Sequence, residues 1–247
     1  EDSPATLERI AQGVDPGFEP DEPYHNEANY IERDIRLARK TGCRVHFSHV
    51  SLWDSMQAIL AARDKGAHPP TITWELAPHH LLLCREDYEQ GEVPLVNPPI
   101  RPAVERDRLR RAFCEGKVDC LASDHAPHTA EDKADGACGL IGMETTLGLI
   151  LTHMVHTGDL APADAVRLMS TQPAHIYRLP GGTLAQGAPA DMVLIDPQMD
   201  WTVRAEDFRS RSRNTPYEGW KLTGRAIGTW VAGRRVFQLP QLEERTD

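Results

Sequence analysis

The segment Ser123-Asp124-His125-Ala126-Pro127-His128 gathers one carboxylate and two imidazoles directly after a short apolar run. Carboxylates and imidazoles bind metal ions and move protons near neutral pH, so this segment could do either. Pro127 fixes the backbone between the two imidazoles and holds them in place. A polar turn with hydrogen-bonded histidines fits the same pattern. His49 closes the run HFSHVS, and Glu75 falls in WELAPHH ahead of His79 and His80. A lone histidine at a strand end is more often structural than a ligand. His46 lies an odd number of positions from His49, should face the opposite side of a strand, and reads as structural. Glu75 could be an exposed carboxylate, a partner for a metal-bound histidine, or a ligand itself. In Asn97-Pro98-Pro99-Ile100-Arg101 an amide and a guanidinium flank a stiff di-proline. A plain loop explains it, although an asparagine there could read the amide edge of a ring, being both donor and acceptor. His25, His68, His153, His156 and His175 carry no assigned role.

Three strand-like runs must position these groups: 44–50, 71–76 and 118–123. Each ends in polar, chemically capable residues and leads into a loop and a helix. Ser51 could cap the first helix, whose apolar Leu52, Met56, Ile59 and Leu60 recur at helical spacing before Gly66. A second helix spans about 104–115 and is closed by Gly116. A polar loop at 131–139 and helices near 143–156 and 162–169 follow. Strands alternating with helices predict a parallel sheet. Polar strand ends on one side are where a (β/α)8 barrel keeps its active site. Three such units cannot close a barrel of eight strands. From Gly182 onward, β-favouring residues alternate with glycine turns and suggest a small β-rich module, interrupted by a polar loop at 208–220.

Bulk properties narrow the function classes. The 247 residues suffice for one large domain or one plus a smaller one. A net charge of -10 disfavours non-specific nucleic-acid binding, which depends on clustered positive charge. The 5 cysteines form no CxxC pair, suit a reducing cytoplasmic interior, and read as small apolar fillers. No apolar run approaches the roughly 20 residues of a membrane span. The arginines at 106, 108, 110 and 111 read as the solvated face of a helix.

In order, HFSHVS, WELAPHHLLL, NPPIRP, ASDHAPHT, GLIGMET, GTLAQGAPADMVLID and RSRNTPYEGWKLTGRAIGTWVAGRRVF resemble the second half of a dihydroorotase, a branch of the amidohydrolase superfamily. DHAPH followed by GxxGxET, together with the NTPYEGWK tail, favours that branch over hydantoinases and allantoinases. The resemblance implies an α/β fold, with residues 1–180 forming part of a (β/α)8 TIM barrel (strands six to eight). Residues 181–247 would form the C-terminal share of a small β-sandwich domain. It implies one or two zinc ions, with His49 matching the strand-six ligand. Asp124 matches the strand-eight residue that is both metal ligand and catalytic acid/base. His128 and Asn97 resemble groups that hold the carboxylate and ring of dihydroorotate. Backbone around Gly139 resembles the loop that contacts the pyrimidine amide, and Glu75 a strand-seven carboxylate that contacts metal in some relatives.

The implied reaction is reversible closure of N-carbamoyl-aspartate to dihydroorotate, in which metal polarises the ring amide carbonyl and Asp124 carries the proton. The implied partners are that small-molecule substrate and either a second copy in a homodimer or aspartate transcarbamoylase, with no nucleic acid or membrane. The HxH pair, the strand-four Lys or Asp and the strand-five His of the family are not among these residues. Glu1-Asp2 resembles the tail of the HxED segment, so the remaining ligands are expected upstream of residue 1. A hydantoinase-like or allantoinase-like hydrolase is a second reading. A non-catalytic homologue that scaffolds the transcarbamoylase is a third.

Overall fold

The computed structural model describes residues 26–63, 71–89 and 92–239. His25, His68, Gly66 and the opening Glu1-Asp2 lie outside the described residues. The described residues fall into two compact units. The first runs to Met143 and includes Glu206–Pro216; the second begins at Glu144 and includes the strands at the C-terminal end.

In the first unit helices alternate with strands: α1 (Asn26–Thr41), β1 (Val45–Phe47), α2 (Trp53–Arg63), β2 (Ile72–Leu76), α3 (Pro78–Leu82), α4 (Ala103–Cys114), β3 (Cys120–Leu121) and α5 (Ala130–Ala134). The strands pair in parallel in the order β1-β2-β3, as the alternation predicts. They are shorter than the apolar runs that contain them. At their C-terminal ends His49 (φ 39°) and Asp124 (φ 47°) take left-handed backbone, which ends the pleat past β1 and β3. Pairing continues sparsely beyond, with Val50 N–H donating to Glu75 carbonyl and Ala122 N–H to Leu76 carbonyl, both at 3.0 Å. Trp74, Leu76, Met56, Ile59, Leu109 and Phe113 fill the core between sheet and helices.

Carboxylates, not Ser51, satisfy the start of α2. Glu27 of α1 accepts from the Ser51 and Leu52 amides at 3.0 and 3.1 Å, and Glu105 of α4 accepts from Trp53 N–H at 2.7 Å. The Ser51 hydroxyl instead donates to Glu27, because a charged acceptor gains more at a helix N-terminus than a hydroxyl does. Helix α4 ends in a Schellman motif: Gly116, left-handed at φ 72°, donates to Phe113 carbonyl and Lys117 N–H donates to Ala112 carbonyl. The polar stretch expected as a loop at 131–139 begins with a short helix, α5. Thr129 caps it, accepting from Asp132 N–H while the Asp132 carboxylate accepts from Thr129 N–H.

The second unit holds α6 (Thr146–Ile150), α7 (Pro162–Val166), α8 (Gln172–Tyr177) and an antiparallel sheet of β4 (Met192–Thr202), β5 (Lys221–Val231) and β6 (Arg234–Gln238) in that order. Helices α6 and α7 continue into π-helical turns at Leu151–Val155 and Arg167–Thr171. Through the second of these turns the helical stretch runs on to Tyr177, past the expected end near 169, and stops at left-handed Arg178. The change of texture near residue 181 lies inside this unit, because α6 packs on β5: Thr223 N–H donates to the Thr152 hydroxyl at 2.8 Å. The segment 208–220 contains no strand.

Candidate functional site

Register alone places four side chains of the first unit on one face. His46 stands opposite Thr73, and Glu75 opposite Cys120. Residues two apart on β2 share a side, so all four converge. The ring nitrogens of His46 meet Thr73 Oγ1 at 2.8 Å and Glu75 Oε2 at 3.1 Å. A carboxylate only accepts, so Nε2 carries the proton toward Glu75 and Nδ1 takes the Thr73 hydroxyl. The Cys120 Sγ lies 3.6 Å from the same Glu75 oxygen. Burial, then the neighbouring Glu75 charge, pushes the Cys120 thiol well up, so it faces the carboxylate as a protonated donor. His46, Glu75 and Cys120 each offer a ligand atom, all within 4.8 Å of one another, a spacing that could hold a metal ion. Cys120 thus serves a polar cluster and buried Cys84 accepts from Arg106 at 3.1 Å, so neither is a plain apolar filler, and Cys43 and Cys114 are exposed.

Past the strand ends lies a second group: His49, His79, His80 and Asp124. Asp124 keeps a quarter of its side chain exposed, and its Oδ2 is 3.4 Å from Nε2 of fully buried His79. That separation brings charge and ring together without meeting hydrogen-bond geometry, since both His79 nitrogens lack a partner among the described residues. Burial raises the proton affinity of Asp124; His49 opposes that rise and Glu75 adds to it. The structure therefore brings His49, Glu75 and Asp124 within electrostatic reach of one another. Burial drives His79 well below the usual histidine range, helped by His80 and His49. It drives His80 down to about 3, although Nε2 donates to Pro98 carbonyl at 3.1 Å. Both rings are neutral near pH 7. The buried Nδ1 of His49 has no hydrogen-bond partner among the described residues. An orphan imidazole nitrogen coupled to a carboxylate fits a cation, so His49 and Asp124 suit the metal expected of them.

His128, Asn97 and Gly139 sit on two loops beside these strand ends. His128 Nε2 donates to Cys138 carbonyl at 3.0 Å, tying the ring to the loop that carries Gly139. Gly139 has φ 135°, and a Cβ there would lie 2.6 Å from the Ala126 Cβ and 3.2 Å from His128 Nε2, so only glycine fits. Its N–H donates to Leu95 carbonyl at 2.9 Å. Asn97 follows two residues later, exposed, beside a cis peptide to Pro98. His125 turns inward: its Nδ1 accepts from the Gly142 and Met143 amides, both at 3.3 Å, which makes it structural. The position of His79, buried against Asp124, carries no signal in the sequence beyond its place in WELAPHH. Sequence reasoning passed over Lys133, whose only signal was a lone cation in an otherwise acidic loop.

A model of the amidohydrolase family matches residues 1–236. The chain is 38% identical over 217 residues to a dihydroorotase from Bacillus caldolyticus, covering 86% of this chain and 50% of that protein. It is 40% identical over 223 residues to a dihydroorotase from Syntrophotalea carbinolica, covering 88% and 51%. Among solved structures it resembles an L-hydantoinase (dihydropyrimidinase) from Arthrobacter aurescens, with TM-score 0.82, 31% identity, and coverage of 95% of this chain and 54% of that one. A D-hydantoinase (dihydropyrimidinase) from Thermus sp. gives TM-score 0.82 at 26% identity, covering 95% and 55%. The chain spans about half the length of the relatives it matches.

Proposed function

This chain belongs to the amidohydrolase family, and on that premise we propose that it serves a zinc-dependent dihydroorotase that closes N-carbamoyl-aspartate to dihydroorotate and opens it again. One observation carries the reading: the part-buried Asp124 carboxylate stands 3.4 Å from buried His79 and within electrostatic reach of His49, whose buried Nδ1 has no hydrogen-bond partner among the described residues. The dihydroorotase relatives at 38–40% identity support the substrate. A bound metal, held in part by His49 and Asp124, would polarise the ring amide carbonyl and acidify water. Asp124 accepts a proton from the attacking water and delivers it to the ring nitrogen as the amide C–N bond breaks. His128 and Asn97 hold the substrate carboxylate and ring, and the turn at Gly139 shapes the wall beside the ring amide.

In this reading β1, β2 and β3 are strands six to eight of the barrel, within residues 1–180. Residues 181–247, with β4 to β6, give the C-terminal share of a sandwich domain. A second reading, a hydantoinase-like hydrolase, draws on the structural neighbours at 31% and 26% identity. Steady-state assays of the full-length protein on dihydroorotate and hydantoin separate the two. Dihydroorotate should give the higher kcat/KM, and Asp124→Asn should lower kcat by about 10³-fold with an unchanged thermal midpoint. Dihydroorotate as the poorer substrate would sink the first reading. An Asp124→Asn enzyme with full activity would sink both.

A further inference from the structure

The loop that carries Gly139 is held by a cation. Lys133 of α5 reaches back over its own loop, and its Nζ donates to Leu95 carbonyl at 3.2 Å, Gly139 carbonyl at 2.9 Å, and Ala137 carbonyl. Three acceptors saturate the three N–H donors of an ammonium group. Its partners are backbone carbonyls, so the charge organises chain rather than pairing with an acid. The Gly139 carbonyl also accepts from Asn214 Nδ2, and Ile141 N–H donates to Asn214 carbonyl at 2.9 Å. The Leu95 carbonyl accepts from Gly139 N–H as well. Two loops are therefore stitched at one point. One bears Asn97; the other bears Gly139 and, through the Cys138 carbonyl, fixes the ring of His128. Both the N–H and the carbonyl of Gly139 are taken up by this stitch.

The geometry points to Lys133, with Asn214 as its partner, as a positioning residue that sets the His128–Gly139 loop against the Asn97 loop for gripping an anionic cyclic substrate. The substrate class rests on the proposed function above. Lys133 touches no reacting atom. Its long stem carries three rotatable donors to carbonyls that diverge, which the planar fork of arginine matches only in part.

The test uses the full-length protein with Lys133→Met, Lys133→Arg and Asn214→Ala, read by backbone hydrogen exchange and by steady-state kinetics. In Lys133→Met the Gly139 and Ile141 amides should exchange about tenfold faster, since both lose a fixed loop. KM for dihydroorotate should rise about tenfold while kcat stays within about threefold, the pattern of a lost binding arrangement and not of lost chemistry. Lys133→Arg should recover much of the KM. Unchanged exchange overturns the clamp; faster exchange with unchanged KM overturns its role in positioning. If Lys133→Met fails to fold, Asn214→Ala decides, because it removes one donor to Gly139 and should move both readouts the same way by less. No movement in either readout overturns the proposal. A full-length enzyme that turns over hydantoin but not dihydroorotate refutes the substrate reading alone, and the same KM comparison then runs on hydantoin.

Discussion

His79 and His80 are adjacent rings, 4.3 Å apart between centroids, each almost wholly buried beside the strand ends. An imidazole that cannot reach water is held neutral, and each proton that arrives must first break that burial. His80 shows the consequence most plainly, because its folded value near 3 lies far below the ordinary 6.5. The sign follows from which state takes the proton first. The unfolded chain protonates as pH falls through about 6.5, whereas the folded chain resists until about 3, so stability is complete above the unfolded value and drains away between the two. At pH 5 the loss from His80 alone is about 2 kcal/mol. Lowering the pH from 7 to 5 should therefore depress the thermal midpoint of the full-length protein. His80→Gln, which retains a donor for the Pro98 carbonyl, should flatten that slope. An unchanged slope in the variant would remove His80 as its source. Asp124 faces the opposite displacement for the same reason: burial favours its neutral, protonated form. Two neutral rings beside a carboxylate of raised proton affinity leave Asp124 as the group there that can take up a proton and return it.

Elements are joined in this chain by buried charges, and α1 is held that way. Glu27 accepts from two amides ahead of α2 and from the Ser51 hydroxyl, and it pairs at 3.5 Å with Arg101, whose side chain is 2% exposed. Arg101 Nε in turn donates to Ser51 Oγ at 2.9 Å. The triad ties α1, the segment after His49 and the loop after Asn97 together. Glu27→Ala removes the anion from this buried set and should cost about 3 kcal/mol in urea unfolding of the full-length protein. A loss below about 1 kcal/mol would mark the triad as no more than a surface ion pair. None of this was legible in the sequence, because Glu27 and Arg101 meet only after the sheet has formed. The parallel sheet, α4 with its Gly116 stop, and the polar strand ends were legible, since periodicity and glycine placement act locally. His46 is hydrogen-bonded, as the structural reading expects, but its partners Thr73 and Glu75 come from β2 and could not be named before the strands were paired. The left-handed backbone at His49 was not legible either, because it depends on how the chain leaves the sheet. Asp124 takes left-handed backbone as well, and its carboxyl lies 3.4 Å from His79.

At the scale of the whole molecule, the parallel strands are largely buried, whereas strands of the antiparallel sheet expose apolar side chains. Within the described residues β1 and β3 each pair on one side, leaving an edge, and β4 exposes Met192, Val193 and Leu194 at 41%, 54% and 53%. Val231 and Val236 on β5 and β6 are 51% and 48% exposed. No helix among the described residues is long and apolar enough to cross a membrane, so a bilayer-spanning helix does not account for this surface. Unpaired edges and contiguous apolar faces drive association when nothing covers them. The solved structures that share this fold extend well beyond the matched part, which amounts to 54% and 55% of their length. Expressed as these 247 residues alone, the chain should therefore bind a hydrophobic dye, elute as large species and melt over a broad range. Adding the segment that its relatives carry and this chain does not span should suppress the dye signal and sharpen the melt. A dye-silent monomer of the 247 residues that unfolds in one cooperative step would show that the sheets are self-sufficient.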